Sequence, residues 1–314
     1  MLTSLALIFL VGLSMAAICQ RLKLPRIIGM LITGIVLGPY VLDLLDPSIL
    51  SISAELRQIA LIIILLKAGL SLNLADLKKV GRPAIMMSCV PASCEILAFF
   101  LFAPSILGIN RIEAAVMGSV LGAVSPAVVV PRMIQLMDAK YGTDKSIPQL
   151  ILAGASCDDI FVIVLFSTFV SMAQGGHANL LDFINIPVSI VFGIILGVVA
   201  GCLLSLFFET AYAHKHCVRN SMKVIVILGI SFLLMAIETW LKGIVSVSGL
   251  LAIVSMACTL KIKSITFVSK RLSEKFGKLW LAAEVLLFVL VGAAVDIRYT
   301  LNAGIVAVLM IFLA

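Results

Sequence analysis

The sequence predicts an all-α polytopic membrane protein, and three observations carry that reading. The chain has 314 residues, 62% hydrophobic and only 12% charged, where soluble domains run near half and a quarter. Its mean hydropathy is +1.22, which implies more apolar surface than a water-soluble fold can hide. Apolar runs near the crossing length of roughly 20 residues recur along it, separated by short polar connections.

Taken in order, eleven such runs cover 2–19, 26–42, 56–73, 83–104, 111–136, 148–172, 183–208, 221–240, 245–260, 279–297 and 303 onward. The first lacks the preceding basic residues and cleavage site of a secretory leader, so it reads as a retained helix. The last meets Ala314 well short of the roughly 20 residues that a crossing requires, so residues 1–314 read as one transmembrane domain that either continues past Ala314 or ends in an interfacial stub. Connections alternate in charge. Arg21, Lys23 and Arg26 lie in one, and Lys78, Lys79 and Arg82 in the next of its kind. Lys140 and Lys145, then Lys215 and Arg219, follow. The strongest holds Lys261, Lys263, Lys270, Arg271, Lys275 and Lys278. Between them lie Asp43, Asp46 and Glu55, or His177 and Asp182. The positive-inside rule places the basic connections in the cytoplasm and the N-terminus outside. The net charge of +7 is thus a topology signal; the expected surroundings are a lipid bilayer, and nucleic acid is not implied. The seven cysteines show no CxxC pair or ligand spacing and read as free thiols, with no metal or disulfide framework.

Two segments look alike. IILLKAGLSLNLADLKKVGRPAI carries Gly69 and Gly81, twelve apart; LLFVLVGAAVDIRYTLNAGIVAV carries Gly292 and Gly304, also twelve apart. One run earlier, IIGMLITG around Gly29 resembles VSGLLAIV around Gly249. The displacement is seven runs, an odd number, so the copies cross in opposite senses. Inverted repeats with ions bound at broken helices mark many secondary transporters.

The fifth run, AAVMGSVLGAVSPAVVVPRMIQLM, holds Pro126 and Pro131. Each lacks an N–H and clashes with the carbonyl four residues back, so a helix break is expected at both, freeing the carbonyls of Gly122 and Ala127. The preceding residues, Ser125 and Val130, are pushed toward extended backbone. Irregular backbone at membrane depth survives only within protein or along a watery cavity. The sixth run, GASCDDIFVIVLF, sets Asp158 and Asp159 side by side. Asp158 lies ten residues past Pro148, roughly 15 Å at the helical rise and so near the midplane of a core of about 30 Å. Ser125 falls at similar depth, and the short link between the runs makes them antiparallel neighbours. Freed carbonyls and carboxylates at one level suit a hard cation. Consecutive helical residues point about 100° apart, so one aspartate faces the ion and the other a neighbouring wall. Paired carboxylates in lipid resist ionising together without a cation, so a proton and a metal ion exclude each other there.

Further intramembrane charges are Lys67, Glu95 and Glu284. Glu95, midway through its run, calls for a basic partner that no other run supplies. Lys67 stands near a run's end, where it either snorkels or faces the interior. Glu284 follows the basic connection closely, with an interfacial and a cavity position both open.

With these residues in place, the chain resembles the monovalent cation/proton antiporter superfamily, and within it the NHA-type branch of sodium/proton exchangers. VLGAVSPAVVVP, GASCDDI and the acid of PASCEI carry the resemblance. It implies an inverted-repeat antiporter fold of thirteen or fourteen spans, Asp159 as main carrier of Na+ or Li+ and of protons, and Asp158 assisting. It further implies oxygens from Val124 and Ser125 at the break, Glu95 paired with an arginine beyond Ala314, and a homodimer moving its core past a scaffold. No cofactor is expected beyond the transported ions. Potassium/proton exchange or a potassium efflux module on the same fold is the nearest alternative. A sodium-coupled organic-anion symporter lacks the basic cluster it would need. A membrane aspartyl protease, which needs its two acids on different helices, is disfavoured by consecutive ones, and no enzymatic activity is expected.

Overall fold

The computed structural model describes residues 1–71, 81–173, 180–215, 220–241, 245–264, 266–297, 304 and 309–313. Among these, twelve helices follow one another: α1 (Leu2–Arg21), α2 (Arg26–Leu37), α3 (Pro47–Ser51), α4 (Ser53–Ser71), α5 (Gly81–Leu107), α6 (Arg111–Leu121), α7 (Pro126–Asp138), α8 (Ile147–Ala173), α9 (Leu180–Lys215), α10 (Asn220–Leu241), α11 (Gly249–Lys263) and α12 (Thr266–Ala293). Five of the described helices are long and apolar enough to cross a membrane, within α1, α5, α9, α10 and α12. The fold is all-α, as the composition requires.

Two elements differ from the sequence expectation. The short α3 interrupts a connection, and the reason is local: Asp46 caps it by accepting the Ser48 N–H, with Pro47 in its first turn. Proline loses nothing at that position, where helical N–H groups have no partner anyway. The tenth run, expected to begin at residue 279, is instead the later part of α12, which starts at Thr266. Most of the basic connection is therefore helix.

The chain divides into two compact units, one of Met1–Ile64 with Phe276–Ile305 and one of Leu65–Lys275 with Val306–Ala314. Glycines set the spacing of helices in both, because helices in lipid associate through close packing of small residues. In the first unit a Cβ added to Gly34 would fall against the Val289 carbonyl, and one on Gly12 would come within 2.9 Å of Val285 Cγ1. In the second, Gly193, Gly197 and Gly201 form a ridge on α9 that seats against α11. A Cβ there would meet the carbonyls of Ser248, Ala252 and Met256 respectively. Ten of the fifteen residues of α11 are buried.

The two units use one packing solution. Gly69 of α4 lies against Val254 of α11, and its repeat counterpart Gly292 of α12 lies against Leu31 and Gly34 of α2. Val254 stands five residues past Gly249, and Gly34 five past Gly29. Equivalent glycines thus press on equivalent helices in equivalent register, the internal repeat expressed as contacts.

The ridge on α9 gives a direct test. Gly197→Val places a side chain against a backbone carbonyl that cannot yield, so stability should fall by about 1–3 kcal/mol. Thermal unfolding of the purified protein reads it, with Gly229→Val, which has open space around it, as the tolerant control.

Candidate functional site

The expected interruption lies between α6 and α7. Asn110 starts α6 with a reciprocal cap: its side chain accepts the Glu113 N–H while the Glu113 carboxylate accepts the Asn110 N–H. The helix ends where the Gly122 N–H donates to Gly118 O at 2.8 Å. Its last carbonyls then have no helical donor; the one of Gly122 would have been served by residue 126, a proline. Ser125 is extended (φ −64°, ψ 113°) and its side chain caps nothing. Its carbonyl accepts the N–H groups of Val128 and Val129 at 3.1 and 3.2 Å, starting α7 with Pro126 as first residue. Four residues of open backbone, Gly122 to Ser125, separate the two half-helices.

Pro131 does not break the span. It lies inside α7, which runs through it, and Val130, expected to be extended, is helical and buried. The difference is one of position. Pro131 sits early in a new helix, where it removes one hydrogen bond without ending the helix; Pro126 stands where a helix can begin, so there the chain restarts.

Helix α8 packs against α5, α6 and α7, and that places its acid at the gap. Asp158 is only 3% exposed, and its Oδ2 accepts the Val124 N–H at 2.9 Å. Val124 and Ser125 are themselves exposed, so buried carboxylate and accessible backbone meet at one point. The positive end of the α7 dipole lies beside it. Glu95 of α5, half-buried, stands close enough to Asp158 for the two acids to interact electrostatically. Its side of α5 is drawn in by glycine, since a Cβ on Gly118 would come within 2.9 Å of Ile96 Cα.

The structure therefore brings together Val124, Asp158 and Glu95, with Ser125 and Pro126 at the same gap. The side chain of Asp159 lies outside the described residues, as do Asn73, His177 and His216. No basic side chain among the described residues forms an ion pair with Glu95. Glu284 is buried rather than interfacial, and accepts the indole N–H of Trp280 at 3.1 Å. Lys67 is half-buried, and its ammonium donates to Ser273 Oγ at 2.8 Å. Sequence reasoning missed Gly118 and Gly122, although their i, i+4 spacing in VMGSVLGAV was the available signal: small residues four apart let backbones approach. A carboxylate, loose carbonyls and a hydroxyl at one depth form a set of oxygens able to hold a small cation or a proton.

The family model for the transmembrane part of sodium/hydrogen exchangers matches residues 5–314. This chain belongs to that family. Sodium/hydrogen exchanger 9B2 from Homo sapiens is 34% identical over 212 residues, 67% of this chain and 38% of that protein. The protein of the same name from Pongo abelii matches to the same extent. The chain thus spans well under two thirds of these relatives. Among solved structures, the sodium proton antiporter MjNhaP1 from Methanocaldococcus jannaschii aligns with a TM-score of 0.75 at 22% identity. The alignment covers 99% of this chain and 75% of that one. The fold of this exchanger-family member is therefore the antiporter fold, and the protein is a multi-pass membrane protein.

The Val124–Asp158 bond makes a measurable difference. In Asp158→Ala the Val124 amide loses its acceptor, worth about 1 kcal/mol, and should exchange hydrogen several-fold faster. Exchange measured on the segment 120–130 should show it, while exchange in α11 stays unchanged.

Proposed function

We propose that residues 1–314 form a cation/proton antiporter domain of about eleven spans that exchanges Na+ or Li+ for protons. The proton and the metal ion would occupy the Asp158–Asp159 pair in turn. The observation that carries this is Asp158, buried and bonded to Val124 N–H at a gap in the α6–α7 span. An acid inside a membrane is functional by default. This one is met by backbone that has been released from a helix, the kind of backbone that coordinates transported ions.

In this reading Asp159 is the principal carrier and Asp158 its partner, held in place by the Val124 amide. Val124 and Ser125 contribute carbonyl or hydroxyl oxygens as the cation sheds water. When the cation leaves, a proton neutralises the acid, so the pair need not remain charged in a low-dielectric setting. Glu95, the third acid, adds to the negative potential that draws the cation in. The basic connections face the cytoplasm, and the protein works as a homodimer.

Exchange is tested in liposomes of the full-length protein under imposed sodium, lithium and potassium gradients, read by an internal pH dye. Asp159→Asn, a nearly isosteric change, should abolish exchange while thermal unfolding stays close to wild type; wild-type rates in that variant would overturn the assignment. Competition has its own signature. Only the deprotonated fraction binds the cation, so apparent affinity scales with that fraction. Below the protonation midpoint of the site, each unit fall in pH should raise the apparent KM for sodium about tenfold, with maximal rate little changed. A KM independent of pH across that range would mean that protons and cations bind at separate sites.

A further inference from the structure

A second feature of the chain concerns its surroundings rather than its cargo. Residues 261–278 hold six cations and a single acid, Glu274. They cover the last turn of α11 and the first three turns of α12. At 28 residues, α12 is about 42 Å long, while the hydrocarbon it crosses is about 30 Å thick. Its first turns therefore stand at headgroup level.

Those turns are two-faced. Ser269, Leu272 and Phe276 are buried along one side. Two lysine–serine bonds fasten that side: Lys67 of α4 donates to Ser273 Oγ at 2.8 Å, and Lys275 donates to Ser221 Oγ of α10 at 2.7 Å. The helix cannot roll without breaking both. The opposite side then has a fixed outward aspect, on which Lys270, Arg271 and Glu274 are exposed. Asp138 and Glu274 both lie in the field of Lys67, which offsets part of the negative charge beside this face. Lys263, exposed, ends α11 three residues before α12 begins, next to Ile262, which is 54% exposed. Charge alone on this side of the membrane would satisfy topology. A pinned face of cations with an apolar residue beside it, at the depth of lipid phosphates, has the form of a lipid-recognition surface.

We propose that Lys263, Lys270 and Arg271 form a binding surface for the headgroups of anionic phospholipids. Lipid bound there bridges the end of α11 and the start of α12, and so stabilises the protein.

The test uses the purified full-length protein in nanodiscs of phosphatidylcholine alone, or of phosphatidylcholine mixed with phosphatidylserine. Phosphatidylserine should raise the Tm of wild type by about 2–4 °C, less at high salt. The triple variant Lys263→Gln, Lys270→Gln, Arg271→Gln should lose the shift. Lys23→Gln, in a different basic connection, should keep it. If the triple variant fails to fold, Lys270→Gln and Arg271→Gln taken singly should each reduce the shift, while Lys270→Arg should retain it. An undiminished shift in the triple or single Gln variants, or an equal loss in Lys23→Gln, overturns the proposal. So does an equal shift from soluble glycerophosphoserine, which would mean a site for free anions instead of a lipid surface.

Discussion

The arrangement rests on two groups that hydrocarbon will not tolerate separately. A carboxylate in lipid needs donors, and an interrupted helix leaves N–H and carbonyl groups that need partners. In this protein each answers part of the other's need: the Val124 N–H, released by the break, is taken up by Asp158 at 2.9 Å. The satisfaction is deliberately partial. Carbonyls at the end of α6 and the Ser125 hydroxyl remain uncommitted to the helix, and these are the oxygens that the proposed exchange would use.

Holding such a gap open takes a rigid frame, and glycine supplies it. Around the site, Gly118 lets α6 lie against Ile96 and Phe99 of α5, and Gly154 lets α8 lie against Met87 of the same helix. A side chain at Gly118 would push α6 away from α5, and one at Gly154 would push α8 away from the same helix. Farther off, the Gly193–Gly197–Gly201 ridge does the same for α9 on α11. The contacts of Gly34 with the Val289 carbonyl and of Gly197 with the Ala252 carbonyl are stiff, since a carbonyl has no rotamer to change. The freedom at the gap is therefore confined to four residues.

Much of this was legible in the sequence, for identifiable reasons. Span positions follow from hydropathy, because a lipid environment forces continuous apolar helices. The break at Pro126 and the extended Ser125 follow from the missing N–H and the steric demand of the ring. Other features turn on context that one-dimensional reading does not carry. Pro131 has the same chemistry as Pro126 but sits within a helix already begun, which runs on through it. The start of α12 was hidden because lysines and arginines that signal a connection are also good helix formers. The closeness of Glu95 to Asp158 depends on the approach of α5 to α8, where Gly154 meets Met87, a residue more than sixty positions earlier in the sequence. Lys67 and Glu284 were ambiguous on depth alone; their hydrogen-bond partners, Ser273 and Trp280, lie on another helix or a turn away and could not be read from hydropathy.

Glu95 also bears on why a paired-acid helix needs a third carboxylate beside it. Asp158 already receives a backbone donor, so that bond by itself would favour a permanently occupied and inert acid. A neighbouring acid within electrostatic range works against permanence, since negative charge accumulating in a low dielectric must be matched by something positive. A fixed cation would match it once and for all. In the proposed exchange a proton or a small metal ion would match it reversibly, and the freed carbonyls at the end of α6 would offer the metal ion a coordination shell that the proton does not require. On that proposal the two ligands would be held by overlapping but unequal sets of atoms, and this inequality would let one displace the other in either direction as their concentrations change.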